Sequence, residues 1–351
     1  MGRPSRTAPA PQERFEVSGA GFQGPSRPSS SRTTEPLRYH AFSSYLRARF
    51  GERVRRIPLD AGFGCPNRPG SDGRGGPGCI YCANEAFSPD SGPRRPPLEE
   101  QLASGIENAR RRGGASAFIA YFQAFTNTWA PVETLRERYD TIRRFPEIRG
   151  LAVGTRPDCV DSAVLDLLES YCHDYEVWIE YGLQSASDEI LARIRRGHRV
   201  EDFVRAVEAT ARRPALKICA HVILGLPGEG PADRERTAGL LARLPVHGVK
   251  IHHCHVVRGT PLADAYLAGA YEPPEYGRYI GWVCDFLERV PWSVTVQRLA
   301  GEAPVGLLLA PQWGRTGSQV SQDVQGEFLR RGTRQGMRVE SHMDRKVREV
   351  P

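Results

Sequence analysis

The chain has no uninterrupted apolar run of about eighteen residues, which is the length that a membrane-spanning helix requires. Its mean hydropathy of -0.45 and its hydrophobic content of 40% are typical of soluble proteins. No apolar segment near the start resembles a secretory signal. The eight cysteines are therefore expected in the reducing cytosol, where thiols bind metals more often than they form disulfides. We expect a cytoplasmic protein with no membrane partner.

The body of the chain also lacks a strong charge of either sign. The formal net charge is +7, but residues 1–36 hold five arginines against three glutamates, and residues 315–351 hold eight basic against five acidic side chains. The middle of the chain is thus close to neutral. A basic RNA-binding surface is not predicted there, so an RNA partner would have to use the two ends.

Residues 1–36 lack any sustained apolar period and contain six prolines, six serines and four glycines. A segment of this composition cannot bury enough apolar surface to fold, so we predict a disordered tail. We assign residues 37–300 to a core and residues 301–351 to a small C-terminal extension.

Three cysteines stand in a pattern that favours a metal. Cys65, Cys79 and Cys82 form C-x13-C-x2-C, and no second C-x2-C pair follows. A [4Fe–4S] cluster takes one ligand on each iron, so three cysteines would leave one iron open for another molecule. A structural zinc site would need further Cys or His ligands at close spacing. The pattern alone leaves three interpretations open, namely a cluster, a zinc site and unliganded thiols. The other cysteines, scattered singly among apolar neighbours, are Cys159, Cys172, Cys219, Cys254 and Cys284.

Short apolar runs alternate with helical patterns after the tail, which is the rhythm of a parallel α/β fold. The predicted strands are 53–59, 117–122, 150–153, 176–181, 216–224 and 248–257. The predicted helices are 98–111, 132–144, 162–172, 188–194, 200–212 and 232–244. We therefore expect six strand-then-helix units, followed by a helix at 276–288 and an edge strand at 293–297.

Polar and glycine-rich segments follow these strands, where parallel α/β barrels carry their reactive residues. The cysteines follow the first strand, and His252, His253 and His255 lie at the end of the sixth. Residues two apart on a strand share a face, so we expect His253 and His255 to lie side by side. These histidines could bind a metal or exchange protons with a substrate, or they could be hydrogen-bonded packing residues. Six such segments at the carboxyl ends of the predicted strands indicate a functional site at that end of the barrel.

Seven motifs resemble those of radical SAM proteins, in particular the YhcC-type family, which is related to the branch of the elongator catalytic subunit. The motifs are GFGCPNR (62–68), AYFQAFTNT (120–128), VGTRPDC (153–159), IEYGLQS (179–185), RGH (196–198), HVILGLPGE (221–229) and LLAP (308–311). The resemblance runs from about residue 37 to about residue 338 and favours a cluster over zinc at the cysteines. It implies an α/β fold that is a partial (β/α)6 TIM-like barrel.

The resemblance also implies two cofactors and the residues that hold them. Cys65, Cys79 and Cys82 would hold a [4Fe–4S] cluster, whose open iron takes S-adenosylmethionine. The residues at positions that bind S-adenosylmethionine are Gln123, Thr126, Gln184, Arg196, His221, Gly225 and His255. Arginine suits the methionine carboxylate because its planar fork pairs with two oxygens at once. Many relatives carry Gly-Gly-Glu where this chain has its second-strand loop, so the chain departs from the family pattern there.

Three single carboxylates, Asp158, Glu180 and Glu229, could fix arginines or substrate hydroxyls.

The function implied is that of a radical SAM enzyme that cleaves S-adenosylmethionine reductively, giving a 5′-deoxyadenosyl radical that acts on an unidentified substrate. His253 and His255 are the candidate catalytic residues, and a reductant such as flavodoxin or ferredoxin is the expected partner. One alternative is the same chemistry on RNA, in particular tRNA. Two others are a non-catalytic regulatory protein that keeps the cluster and S-adenosylmethionine, and a zinc-stabilised binding module.

Overall fold

The computed structural model describes residues 36–68, 75–83, 95–301 and 306–339. Seven parallel strands form one sheet in the order β1-β2-β3-β4-β5-β6-β8, and β7 and β9 form a small antiparallel pair. The predicted partial barrel of six units with an added edge strand is therefore confirmed. The strands are β1 (Val54–Leu59), β2 (Ala117–Phe122), β3 (Ile148–Thr155), β4 (Glu176–Gln184), β5 (Lys217–Leu224), β6 (Gly248–His253), β7 (Val256–Val257), β8 (Thr295–Arg298) and β9 (Leu308–Ala310).

Helices connect the strands and cover the outer face of the sheet. None of the helices in the described residues is both long enough and apolar enough to cross a membrane. The α-helices are α1 (Phe42–Phe50), α2 (Leu98–Gly113), α3 (Val132–Asp140), α4 (Ser162–Ser170), α5 (Asp188–Arg193), α6 (Val200–Ala211), α7 (Pro231–Arg243), α8 (Pro261–Leu267), α9 (Tyr276–Glu288) and α10 (Gly317–Arg331).

The two faces of the sheet carry different side chains because successive residues of a strand point to opposite sides. On the outer face, residues such as Phe118 and Phe122 of β2 join the main core under the helices. On the inner face, Tyr121 of β2, Trp178 of β4 and Cys219 of β5 join a smaller cluster inside the barrel.

Helix α1 closes the amino end of the barrel. Phe42 and Leu46 are buried against the inner-face cluster, and the Phe42 and Trp178 rings meet edge to face with centroids 5.1 Å apart. Edge-to-face pairs of this kind contribute about 0.5–1.5 kcal/mol beyond the area that they bury. With this end filled, open space inside the barrel lies toward the carboxyl ends of the strands.

The predicted sixth strand differs from the structure. Residues 248–257 form two strands, because the chain leaves the sheet after His253 and the Cys254 amide donates to the carbonyl of Leu224 at 3.1 Å. The short β7 then pairs with β9 instead. The predicted disordered tail lies outside the described residues except for Pro36. The boundaries of the core and of the C-terminal extension stay predictions.

Candidate functional site

The cysteine loop follows β1 and meets the loop between α5 and α6. The buried Cys79 Sγ accepts hydrogen bonds from Asn67 Nδ2 at 3.3 Å and from Arg196 Nη1 at 3.7 Å. The Asn67 amide also donates to the carbonyl of Arg195 at 2.7 Å, and the Ile80 amide donates to the carbonyl of Ile194 at 3.1 Å. These contacts hold the Cys79 sulfur against the loop between α5 and α6.

The three cysteines share one cavity of about 160 Å³, which we call the cluster cavity. Five of the predicted cofactor-binding residues line it too, namely Gln123, Thr126, Gln184, Arg196 and His221. The structure therefore brings together residues that lie on or after four different strands, which the sequence spreads over more than 150 positions (65 to 221).

The sulfur positions bear on which metal centre fits. A tetrahedral zinc with Zn–S bonds of about 2.3 Å would bring its sulfurs to about 3.8 Å from one another. In the part of the chain that the structure describes, one set of three donors lies within 4.8 Å of one another, and it does not contain Cys65, Cys79 or Cys82. Their wider separation suits a cluster, in which each cysteine binds a different iron.

Two buried polar atoms in the cluster cavity have no hydrogen-bond partner within the described residues. They are Thr126 Oγ1 and Arg196 Nε, in side chains that are 1% and 8% exposed. An unpaired buried donor costs about 1–3 kcal/mol, so such groups usually belong to a ligand site. Both residues fit a polar cofactor beside the cysteines.

All five cysteines outside the triad have a raised thiol pKa, because each is buried or half-buried. Burial, followed by the Asp158 carboxylate, raises the pKa of Cys159 to about 12, although this thiol lies near Cys65. Burial raises the pKa of Cys254 and of Cys284 to about 12 as well, and it raises the pKa of Cys172 to about 11 and that of Cys219 further. A raised pKa disfavours the thiolate, which is the form that binds a metal.

A second cavity of about 410 Å³ adjoins the first and shares five of its lining residues, namely Tyr81, Cys82, Gln123, Gln184 and His221. We call it the histidine cavity because four histidines line it, His221, His252, His253 and His255. The predicted cofactor residue His255 thus lies here. Gly225 is the exception, since it lines a separate cavity of about 610 Å³ with Trp282.

A network of charged residues lies on the inner face beneath both cavities. The fully buried Glu180 pairs with Arg56 at 2.6 Å, with His221 at 2.7 Å and with Lys250. Lys250 also donates to the Tyr121 hydroxyl at 2.9 Å. Burial raises the pKa of Glu180, but its three partners outweigh burial and hold it well below the ordinary range. Burial lowers the pKa of Lys250 to about 8 and that of His221 to about 4.

The three histidines at the end of β6 do not share one environment. His252 faces inward, with its ring 6.0 Å from that of His221. His253 and His255 lie against each other with centroids 4.0 Å apart, and His253 also packs on Trp313 at 4.2 Å and Tyr279 at 5.5 Å. His253 is a packing residue that also lines the cavity. The structure is therefore compatible both with a functional role for these histidines and with a packing role.

The three single carboxylates hold arginines. Asp158 accepts two hydrogen bonds from Arg156, at 2.9 and 2.7 Å, and Arg156 Nη1 donates to the carbonyl of Arg196 at 2.8 Å. Glu229 pairs with Arg234 at 3.4 Å, and Glu180 belongs to the network above. Asp158 thus acts on Arg196 indirectly, because it holds Arg156, which donates to the Arg196 carbonyl.

Sequence reasoning missed several residues of the site. Tyr121 and Lys250 were read as parts of apolar runs, although a lysine inside a buried strand signals a paired charge. Gly182 was also missed: a Cβ there would lie 2.5 Å from Arg196 Nη2 and 2.7 Å from Gln184 Nε2. Because Gly182 has no side chain, Arg196 and Gln184 can approach each other there. No local sequence pattern predicts this contact.

Comparisons with known proteins bear on these residues directly. The Radical SAM superfamily model matches residues 62–241, and the Radical SAM C-terminal domain model matches residues 246–330. Protein YhcC of Escherichia coli K12 is 41% identical over 273 residues, covering 78% of this chain and 86% of YhcC. The tRNA uridine(34) acetyltransferase of Dehalococcoides mccartyi is 29% identical over 164 residues, covering 46% of this chain and 35% of that enzyme.

Among solved structures, the archaeal Elp3 of Methanocaldococcus infernus with an N-terminal deletion superposes with a TM-score of 0.59 at 18% identity. The superposition covers 80% of this chain and 64% of that chain. At this level of identity the likeness supports the fold alone.

Proposed function

Because the chain belongs to the radical SAM superfamily, we propose that it is an enzyme that binds a [4Fe–4S] cluster through Cys65, Cys79 and Cys82 and cleaves S-adenosylmethionine. Enzymes of this superfamily bind both cofactors. The observation that carries the proposal is that all three cysteines line one cavity with Thr126 and Arg196, which hold unpaired buried polar atoms.

The bound cofactors would supply an electron and a scissile C–S bond, whose cleavage gives a 5′-deoxyadenosyl radical that removes hydrogen from a substrate. The chain's own residues bind and orient. Arg196 is held by the carbonyl of Gly182 at 2.9 Å and keeps Nε for the methionine carboxylate. Gln184 and His221, which line both cavities, would hold the nucleoside, and Thr126, which lines the cluster cavity, would hold the amino group.

The experiment is purification without oxygen, followed by iron and sulfide analysis and electron paramagnetic resonance. We expect about four irons and four sulfides per chain, and release of 5′-deoxyadenosine when reduced protein meets S-adenosylmethionine. Cys79→Ala should lose both. Cys172→Ala is the matched control, since its half-buried thiol donates only to the Leu168 carbonyl, and it should keep both.

Two outcomes would contradict the proposal. Colourless protein with one tightly bound zinc would make the cysteines a structural metal site. Protein that carries the cluster and binds S-adenosylmethionine, yet releases no 5′-deoxyadenosine with any reductant, would be a regulatory protein. A flavodoxin or ferredoxin is the reductant to try first, because superfamily enzymes need a source of single electrons.

A second candidate function is radical SAM modification of RNA. It is favoured by the similarity to the tRNA uridine(34) acetyltransferase named above. Because the chain covers 35% of that enzyme, the acetyl-transfer reaction itself is not part of this proposal. RNA that copurifies with the protein, and that dissociates steeply as salt rises, would support it. A protein free of nucleic acid at low salt would leave the small-molecule enzyme as the function.

A further inference from the structure

Two cationic side chains line the histidine cavity, those of Lys250 and Arg298. The buried carboxylate of Glu180 pairs with Lys250 and also with Arg56. Within the described residues no carboxylate pairs with Arg298, so the described lining of this cavity holds more cations than carboxylates.

The cations form a row along neighbouring strands. His221 of β5 is the register partner of Lys250 of β6, and such partners on adjacent parallel strands point to the same face about 4.8 Å apart. The register between β6 and β8 shifts after Val249, so Lys250 and Arg298 are partners across an irregularity, and both side chains line the histidine cavity. His252 lies two residues beyond Lys250 on the same face, one step closer to the carboxyl rim. These side chains share the cavity wall with apolar ones such as Ile223.

This surface does not suit the cofactor. S-adenosylmethionine carries a sulfonium and an ammonium, both positive, and its adenine is uncharged. Its one carboxylate is assigned under the proposed function to Arg196, which lines the cluster cavity and not the histidine cavity. Arg298 is left for a different molecule, and Lys250, which already contacts Glu180 and the Tyr121 hydroxyl, has a third ammonium proton to offer beside it.

We propose that the substrate carries an anionic oxygen group, a phosphate or a carboxylate, which binds in the histidine cavity against Arg298 and Lys250. The proposal rests on the proposed function and names the substrate class of that same site. Arginine offers a forked pair of donors and lysine a point charge, which together are the usual protein ligands of these groups. The cavity volume of about 410 Å³ is that of a small-molecule site.

The imidazoles complete the site. Burial, and then the positive charges of Arg298 and Lys250, lower the pKa of His252 well below its ordinary value. Its ring is therefore neutral at pH 7 and offers one N–H and one acceptor nitrogen. Gly301 brings the rings close, since a Cβ there would lie 2.5 Å from His255 Cε1 and 3.0 Å from His252 Nδ1. His253 Nδ1 is buried and unpaired within the described residues.

Calorimetric titration of the cluster-loaded protein, saturated with S-adenosylmethionine, tests the proposal. The probes are methyl phosphate, acetate and a short single-stranded RNA, which separate a phosphate monoester, a carboxylate and a phosphodiester. We expect at least one probe to bind saturably. Arg298→Gln should weaken that binding about tenfold and Arg298→Lys by less, because one charge-assisted contact is lost or weakened. Arg298 is exposed, so neither change should affect folding.

Arg149→Gln is the matched control, since this exposed arginine lies near the start of β3, at the opposite end of the sheet. Equal binding in Arg298→Gln and Arg149→Gln would overturn the proposal, as would the absence of saturable binding by all three probes. Competition between the bound anion and S-adenosylmethionine would assign the cations to the cofactor and overturn it too.

The proposed enzyme function and the proposed anion site can be refuted independently of each other. The triple variant of Cys65, Cys79 and Cys82 to alanine lacks the cluster ligands but keeps every residue of the cationic row. Anion binding that persists in this variant, in a protein that never releases 5′-deoxyadenosine, would refute the enzyme and keep the anion site. Release of 5′-deoxyadenosine without anion binding would do the reverse.

Discussion

Acid should destabilise the fold steeply, because an unusual number of histidines are buried in their neutral form. Burial lowers the pKa of His198, His221 and His255 to about 4 and that of His253 to about 2, and it lowers the pKa of His252 well below its ordinary value. In the unfolded chain each would titrate near 6.5. Below pH 6.5 the unfolded state therefore binds more protons than the folded state, and stability falls as pH falls.

One carboxyl opposes this effect. Burial raises the pKa of Glu229 to about 7, so between pH 7 and 4.5 the folded state holds a proton there that the unfolded state lacks. These five histidines against one carboxyl give a net uptake of about four protons on unfolding near pH 5.5, and His247, whose pKa burial also lowers, acts in the same direction. At about 1.4 kcal/mol per proton and pH unit, roughly 5 kcal/mol of stability is lost between pH 7.5 and 5.5. That is a third or more of the stability of a typical domain, about 5–15 kcal/mol.

The assay is urea unfolding followed by circular dichroism at half-unit pH steps from 8 to 5. The triple alanine variant of Cys65, Cys79 and Cys82 should be used, so that loss of a cluster does not mix with unfolding. His198→Gln should reduce the proton uptake by about one, and His173→Gln, at a side chain that is 93% exposed, is the matched control. A free energy of unfolding that stays level from pH 7.5 to 5.5 would refute the assignment of neutral, buried imidazoles.

Three substitutions test the rest of the site. Arg196→Lys should weaken S-adenosylmethionine binding about tenfold or more, because a lysine cannot contact Cys79 and Gly182 and also offer the N–H that Arg196 keeps at Nε. Unchanged affinity by equilibrium dialysis would remove Arg196 from the site. Gly182→Ala should weaken S-adenosylmethionine binding similarly, because the added Cβ displaces Arg196. Gly277→Ala in α9, where the added Cβ meets open space, should instead raise the free energy of unfolding by about 0.5–1 kcal/mol in chemical denaturation. Lys250→Met should lower the free energy of unfolding by about 3–5 kcal/mol, since it removes one partner of a buried ion pair. The double variant with Glu180→Gln should recover part of that loss in chemical denaturation. Strictly additive losses would argue against direct coupling of the two residues.

The fold was largely accessible from the sequence because its signals are local. The strand at 117–122 and the helix at 276–288 were predicted at their observed bounds, since a fully apolar run and a clear helical period mark them. The cysteine triad was also accessible, because its spacing and motifs lie in one segment. The cationic row was not, because it depends on register between strands: Lys250 reaches Glu180 across 70 positions and Tyr121 across 129.

Backbone geometry links the cysteine loop to the residues proposed for S-adenosylmethionine. Within the described chain, three residues other than glycine adopt a positive φ, namely Phe125 (62°), Gln184 (71°) and Arg195 (54°). Each such conformation costs about 1–3 kcal/mol and persists only where its surroundings enforce it. One of the three is a predicted cofactor residue, and the other two directly precede Thr126 and Arg196.

The enforcing contacts come in part from the cysteine loop itself. The Thr126 amide donates to the carbonyl of Gly64 at 3.1 Å, next to the first cysteine, and the Asn67 side chain holds the carbonyl of Arg195 at 2.7 Å. These contacts tie the conformations of Phe125 and Arg195 to the loop that carries the cysteines. Because a cluster would fix that loop through three ligands, we expect metal binding and the orientation of Thr126 and Arg196 to be cooperative. A chain without its cluster should therefore also hold Thr126 and Arg196 less firmly in position.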